Sequence, residues 1–72
     1  MNKQEVIDEL HDIQKEMLAQ VERLIELLNE IPGDGQCTLE NYVLPALQCA
    51  ISNEHPWLSR DANIDTVIQA LI

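Results

Sequence analysis

Residues 5–31 read EVIDELHDIQKEMLAQVERLIELLNEI, a stretch with no glycine or proline whose apolar residues return every three or four positions. Val6, Ile7, Leu10, Ile13, Met17, Leu18, Val21, Leu24, Ile25, Leu28 and Ile31 fall within about half of a helical circumference when plotted at 100° per residue. The other half carries Glu5, Asp8, Glu9, Asp12, Glu16, Glu22, Glu26 and Glu30, offset by Lys15 and Arg23. The spacing predicts one long, amphipathic, acidic helix. In a chain of 72 residues it fills over a third of the protein and points to a small helical interaction module.

Upstream of this stretch, Asn2 is a candidate N-cap, with Glu5, Asp8 and Glu9 at the favourable end of the helix dipole. Downstream, Ile31-Pro32-Gly33-Asp34-Gly35 stops the helix, because proline cannot continue it and glycine supplies turn conformations. Thr38 then caps a predicted second helix over residues 39–53. Pro45 falls inside it and clashes with the carbonyl of Asn41, so a kink or a true start near Leu44 is expected. The apolar residues of this segment span about 220° of its circumference, wider than one neighbour can cover, which makes it the central element. Tyr42 is expected to face the first helix. A single turn over 56–59 comes next, and Asp61 or Asn63 caps a short last helix carrying Ile64, Val67, Ile68 and Leu71. The apolar end Ala70-Leu71-Ile72 is expected to be docked. The predicted fold is all-α: a helical hairpin plus a third helix, one domain over 1–72, completed by dimerisation.

Thirteen acidic residues against four basic ones give a formal net charge of −9. A phosphate backbone is gripped by clustered Lys and Arg, so direct nucleic-acid binding is not expected, whereas a basic protein surface is attracted. No apolar run approaches the ~18 residues needed to cross a bilayer. Cys37 and Cys49 are the only cysteines. A helix between them separates them by ~18 Å at 1.5 Å per residue, beyond the ~7 Å that a disulfide spans, so both are expected to be reduced. The N-terminus, Met1-Asn2-Lys3-Gln4-Glu5, does not read as a secretion signal. A cytoplasmic protein is the resulting expectation.

Residues 30–41 resemble part of a twelve-residue EF-hand calcium loop, with Asp34, Gly35 and Cys37 at the fifth, sixth and eighth places. The resemblance fails at the first, third and twelfth places, where Glu30, Pro32 and Asn41 stand in for the usual ligands. Asp8, His11 and Asp12 have ligand-like helical spacing but read as solvated surface. Cys37, Cys49, His11 and His55 are scattered singly, so no metal or other cofactor is expected. Ser52, Ser59 and the two cysteines sit in no nucleophile motif, and a domain this small has little room for a catalytic pocket. A non-catalytic role is therefore expected.

Below about 80 residues a core supplies roughly 3–5 kcal/mol, so surplus apolar surface is expected to find a partner. Leu44, Leu47, Ile51, Trp57, Ile68 and Leu71 are the residues expected to mediate self-association. Asp8, Asp12, Glu22, Glu26 and Glu30 form the acidic face expected to meet a protein partner. The leading expectation is a self-associating adaptor, chaperone or regulator of the kind found among small prokaryotic proteins. The alternative is an inhibitor that presents its acids as a substitute for a nucleic-acid backbone, as small phage-encoded proteins do.

Overall fold

Two side-chain amides open the first and last helices of this protein, whose computed structural model describes residues 1–53 and 63–72. Asn2 caps α1 (Lys3–Leu27), its Oδ1 accepting from the Glu5 backbone N–H at 2.8 Å while its Nδ2 donates to Glu5 Oε1 at 3.0 Å. The first bond satisfies a backbone donor that a bare helix start leaves without a partner, and the second ties the two side chains together. Asn63 does the same for α4 (Ile64–Leu71), its Oδ1 accepting from Thr66 N at 3.0 Å and from Thr66 Oγ1 at 3.2 Å. Asn63 is thus the cap that the sequence offered alongside Asp61. Asp61 and the turn over 56–59 lie outside the described residues.

α1 tightens into a 3-10 turn at Leu28–Glu30 and then reverses through extended backbone at Ile31 and Pro32. Gly33 comes next at φ +58°, a left-handed conformation that side chains with a Cβ disfavour. The second helical segment starts there, earlier than predicted. It comprises α2 (Gly33–Thr38), a π-turn (Leu39–Val43) and α3 (Leu44–Ile51). Thr38 has helical φ and ψ and no side-chain cap bond, so it continues the helix instead of starting it. The segment also ends at Ile51, short of the predicted 53, where Ser52 turns extended.

Pro45 explains the π-turn. The ring has no N–H and crowds the carbonyl one turn back, and a wider turn relieves both constraints. The Leu44 N–H reaches back to Leu39 O, five residues earlier, and α3 begins with Pro45 in its first turn, where a missing N–H costs little. The predicted kink is therefore absorbed as a change of helix type. The extra residue also rotates the downstream helix. Leu39 and Leu44, five apart, are both buried, whereas Tyr42 is 70% exposed and does not face α1 as the sequence suggested.

The core forms where α1 packs on the returning segment. Val21 of α1 meets Leu39, Leu44 and Ile51, with Met17, Leu24, Leu28, Ile31 and Leu47 packed around them. Full burial of each such side chain stabilises by about 1.5–3 kcal/mol. α4 adds Ile68, also buried. The docked C-terminus expected from sequence is only partial: Leu71 is half-buried, while Ala70 and Ile72 are exposed. The described residues are helical with no strand, and no helix among them is long and apolar enough to cross a membrane.

α1 packs against both α3 and α4, and the molecule is flat and long, 47 × 22 × 14 Å. Its radius of gyration is 14.2 Å, against about 11 Å for a compact chain of this length. The two flanks of α1, to either side of its core-facing stripe, consequently open onto the broad faces.

Candidate interaction surface

Four large apolar side chains of α1 remain at least two-fifths exposed: Ile13, Leu18, Ile25 and Leu27. On the helical wheel they divide into two flanks, Leu18 with Ile25 on one and Ile13 with Leu27 on the other. Half a helix circumference of apolar residues was too much for one neighbouring layer to cover. α1 therefore buries the middle of its stripe and leaves both edges open.

The edge through Leu18 borders a hollow of about 500 Å³ at the junction of α1, α3 and α4. His11, Gln14, Lys15 and Leu18 form its α1 wall, and Ile51, Ser52 and Asp65 close it. Gln14 holds this junction together. It is 9% exposed, the one polar residue in the apolar stripe of α1 that is buried. Its Nε2 donates to the backbone carbonyl of Ile51 at 2.7 Å and to Asp65 Oδ1 at 2.8 Å, while its Oε1 lies 3.2 Å from His11 Nδ1. Asp65 Oδ2 accepts from the Asn53 N–H at 2.9 Å, and Asn63 Nδ2 donates to Asn53 Oδ1 at 2.7 Å. The Gln14 amide and the Asn53 N–H hold Asp65 below the ordinary carboxylate pKa, with a smaller contribution from nearby His11; partial burial opposes them. These polar groups fasten the start of α4 to α1 and to the end of α3.

Sequence reasoning missed Gln14. A glutamine inside an apolar stripe, on a helix whose other polar residues avoid that stripe, was the available signal.

The acidic residues singled out from sequence, Asp8, Asp12, Glu22, Glu26 and Glu30, are all exposed on α1 and its 3-10 extension. Asp8 Oδ1 accepts from Gln4 Nε2 at 3.0 Å, an ordinary one-turn contact. Five acids along one helix do not form a single site: Asp8, Asp12, Glu26 and Glu30 lie toward the outer side, and Glu22 lies nearest the Leu18 edge. Among the described residues no three His, Cys, Asp or Glu side chains come together to hold a metal ion, and residues 30–41 are mostly helical instead of looped.

The residues expected to mediate self-association are placed differently. Leu44, Ile51 and Ile68 lie inside this chain's own core, and Leu47 and Leu71 are half-buried. Ile51, at 1% exposure, has no surface to offer a partner. Much of the wide apolar arc of the second segment packs against α1 and α4, although Tyr42 and Val43 stay exposed, as do Val67 and Ile72 at the C-terminal end; the largest group of exposed apolar side chains, four, sits on α1. Trp57 lies outside the described residues. Cys37 is exposed and Cys49 buried, and the two form no disulfide.

No family model matches the chain, and no curated protein or solved structure is significantly similar to it.

Proposed function

We propose that this protein is a non-catalytic protein–protein interaction module that self-associates through the open apolar flanks of α1. The observation that carries this reading is the exposure of Leu18 and Ile25, 42% and 46%, beside the buried stripe of α1. A second helical layer laid on the broad face would bury them and turn a flat molecule into a bundle. The face measures 47 × 22 Å, on the order of 1,000 Å², and a stable interface needs about 800 Å² from each partner. That Cys37 and Cys49 form no disulfide supports a reducing compartment such as the cytoplasm. Sedimentation equilibrium from one to one hundred micromolar tests the reading. A mass that rises toward twice the monomer, together with concentration-dependent melting, is the expected result. A monomer throughout the range overturns it.

The exposure of Asp8, Asp12, Glu22, Glu26 and Glu30 supports a second reading, in which α1 blocks a basic nucleic-acid-binding surface of another protein. Such binding weakens steeply with salt, whereas apolar pairing of copies does not.

A further inference from the structure

From the charges around α1 we infer which flank pairs with a second copy and in what register: the Leu18–Ile25 flank, antiparallel, with Ile25 of each copy seated in the other's His11–Gln14–Lys15–Leu18 hollow. This inference rests on the self-association proposed above and specifies its geometry.

Electrostatics separates the two flanks. In a chain of charge −9, a surface that meets its own copy must carry little charge itself. On the helical wheel the first flank runs through Ile7, His11, Lys15, Leu18, Glu22 and Ile25, where one lysine balances one glutamate, and Asp8 and Glu26 border its outer edge. The opposite flank, taken to the same width through Glu5, Glu9, Ile13, Glu16, Gln20, Arg23 and Leu27, carries three acids against one arginine. Stacking that second flank on itself brings together two surfaces that are each net negative.

Shape then sets the register. Residues 11, 14, 15 and 18 are spaced i, i+3, i+4 and i+7, the four corners of a hole that receives one apolar knob from a facing helix. This is the α1 wall of the 500 Å³ hollow at the junction with α3 and α4. Leu18 and Ile25 are the two exposed apolar side chains on the flank and are seven residues apart. If Ile25 of one copy fills the hole of the other, two-fold symmetry places Leu18 in the hole formed by residues 18, 21, 22 and 25. Both knobs are then accommodated by one antiparallel arrangement whose two-fold axis lies near the level of residue 20. In that arrangement Lys15 lies along the same edge as, and axially between, Glu22 and Glu26 of the second copy. The lone cation of the flank thus meets two acids, twice over.

Charge reversal with matched net charge tests the inference by sedimentation equilibrium. Lys15→Glu is expected to raise the dimer dissociation constant about tenfold, from the loss of two modest ion-pair clusters. Adding Glu26→Lys returns the net charge to −9 and restores most of the affinity, because Glu at 15 now faces Lys at 26 of the other copy. Adding Glu9→Lys instead also returns the charge to −9 but lies on the opposite flank and does not restore it. Circular dichroism of each variant, read below the dissociation constant, confirms a folded monomer. Equal rescue by Glu26→Lys and Glu9→Lys, or indifference to Lys15→Glu in a protein that still dimerises, overturns the flank and register while leaving self-association standing. A wild-type monomer at every concentration overturns both.

Discussion

Gln14 Nε2 lies 2.7 Å from the backbone carbonyl oxygen of Ile51, a hydrogen bond spanning 37 positions of sequence and joining the middle of α1 to the last turn of α3. The last carbonyls of a helix have no partner within it, and this one is buried. The bond therefore satisfies a group that water does not reach. Replacing Gln14 by Leu keeps the apolar stripe continuous yet leaves the Ile51 carbonyl and Asp65 without that donor. A loss of about 1–3 kcal/mol is expected, the usual cost of an orphaned buried polar group. Urea unfolding of the Gln14→Leu variant measures it. An unchanged midpoint would mean that water readily replaces the amide.

Acid should loosen the same junction. Because the folded protein holds Asp65 below its ordinary pKa of about 3.9, its carboxylate contributes stability at any pH above that value. The contribution fades as the pH drops below about 4 and is lost once it passes through the folded-state pKa. Asp65→Asn removes the titration, so the difference in unfolding midpoint between wild type and variant should shrink from about pH 6 to about pH 2.5. A constant difference would assign the acid sensitivity to other carboxylates.

The helical hairpin, the third helix and both asparagine caps could be read from residue spacing, because caps and apolar periodicity are local. The π-turn could not. Pro45 announced a disturbance, but whether a helix kinks, restarts or widens depends on how much apolar packing lies on each side. Here Leu39 and Leu44 both reach α1, which favours an uninterrupted widened helix. The surface was misplaced for a related reason. A wide apolar arc on the second segment and a wide arc on α1 look equally in need of a partner in sequence. Only the three-dimensional arrangement decides that Leu44 and Ile51 are covered while Leu18 and Ile25 are not.

The rotation imposed by the π-turn has a direct mutational signature. Leu44→Ala should cost about 2–5 kcal/mol, as for other buried leucines, whereas Tyr42→Ala should stay within about 0.5 kcal/mol. In a regular helix these neighbours would take other environments, with Tyr42 toward α1. Denaturation of the two variants side by side discriminates the arrangements, and a costly Tyr42→Ala would argue against the widened turn.

The two thiols should differ in reactivity. Cys37 is exposed and Cys49 is buried, so a thiol reagent should modify one equivalent rapidly and the second only as the chain unfolds. Mass spectrometry after brief alkylation should find the label on Cys37. Equal labelling would show that α3 opens readily.

Glu26 distinguishes solubility from recognition. It is exposed on α1 near a helix end that carries no basic residue in its last turn, and it stands four residues from both Glu22 and Glu30. Glu26→Lys converts two like-charge neighbours into attractive ones and places a cation where the dipole favours it. The dilute monomer should gain a few tenths of a kcal/mol. If the acids of α1 serve only to keep the protein in solution, binding to any basic partner is unaffected by the change. If they substitute for phosphates, that binding weakens while the fold becomes more stable, and the remaining affinity depends less on salt. Loss of affinity without loss of stability separates recognition from folding, because a structural role for Glu26 would move both in the same direction.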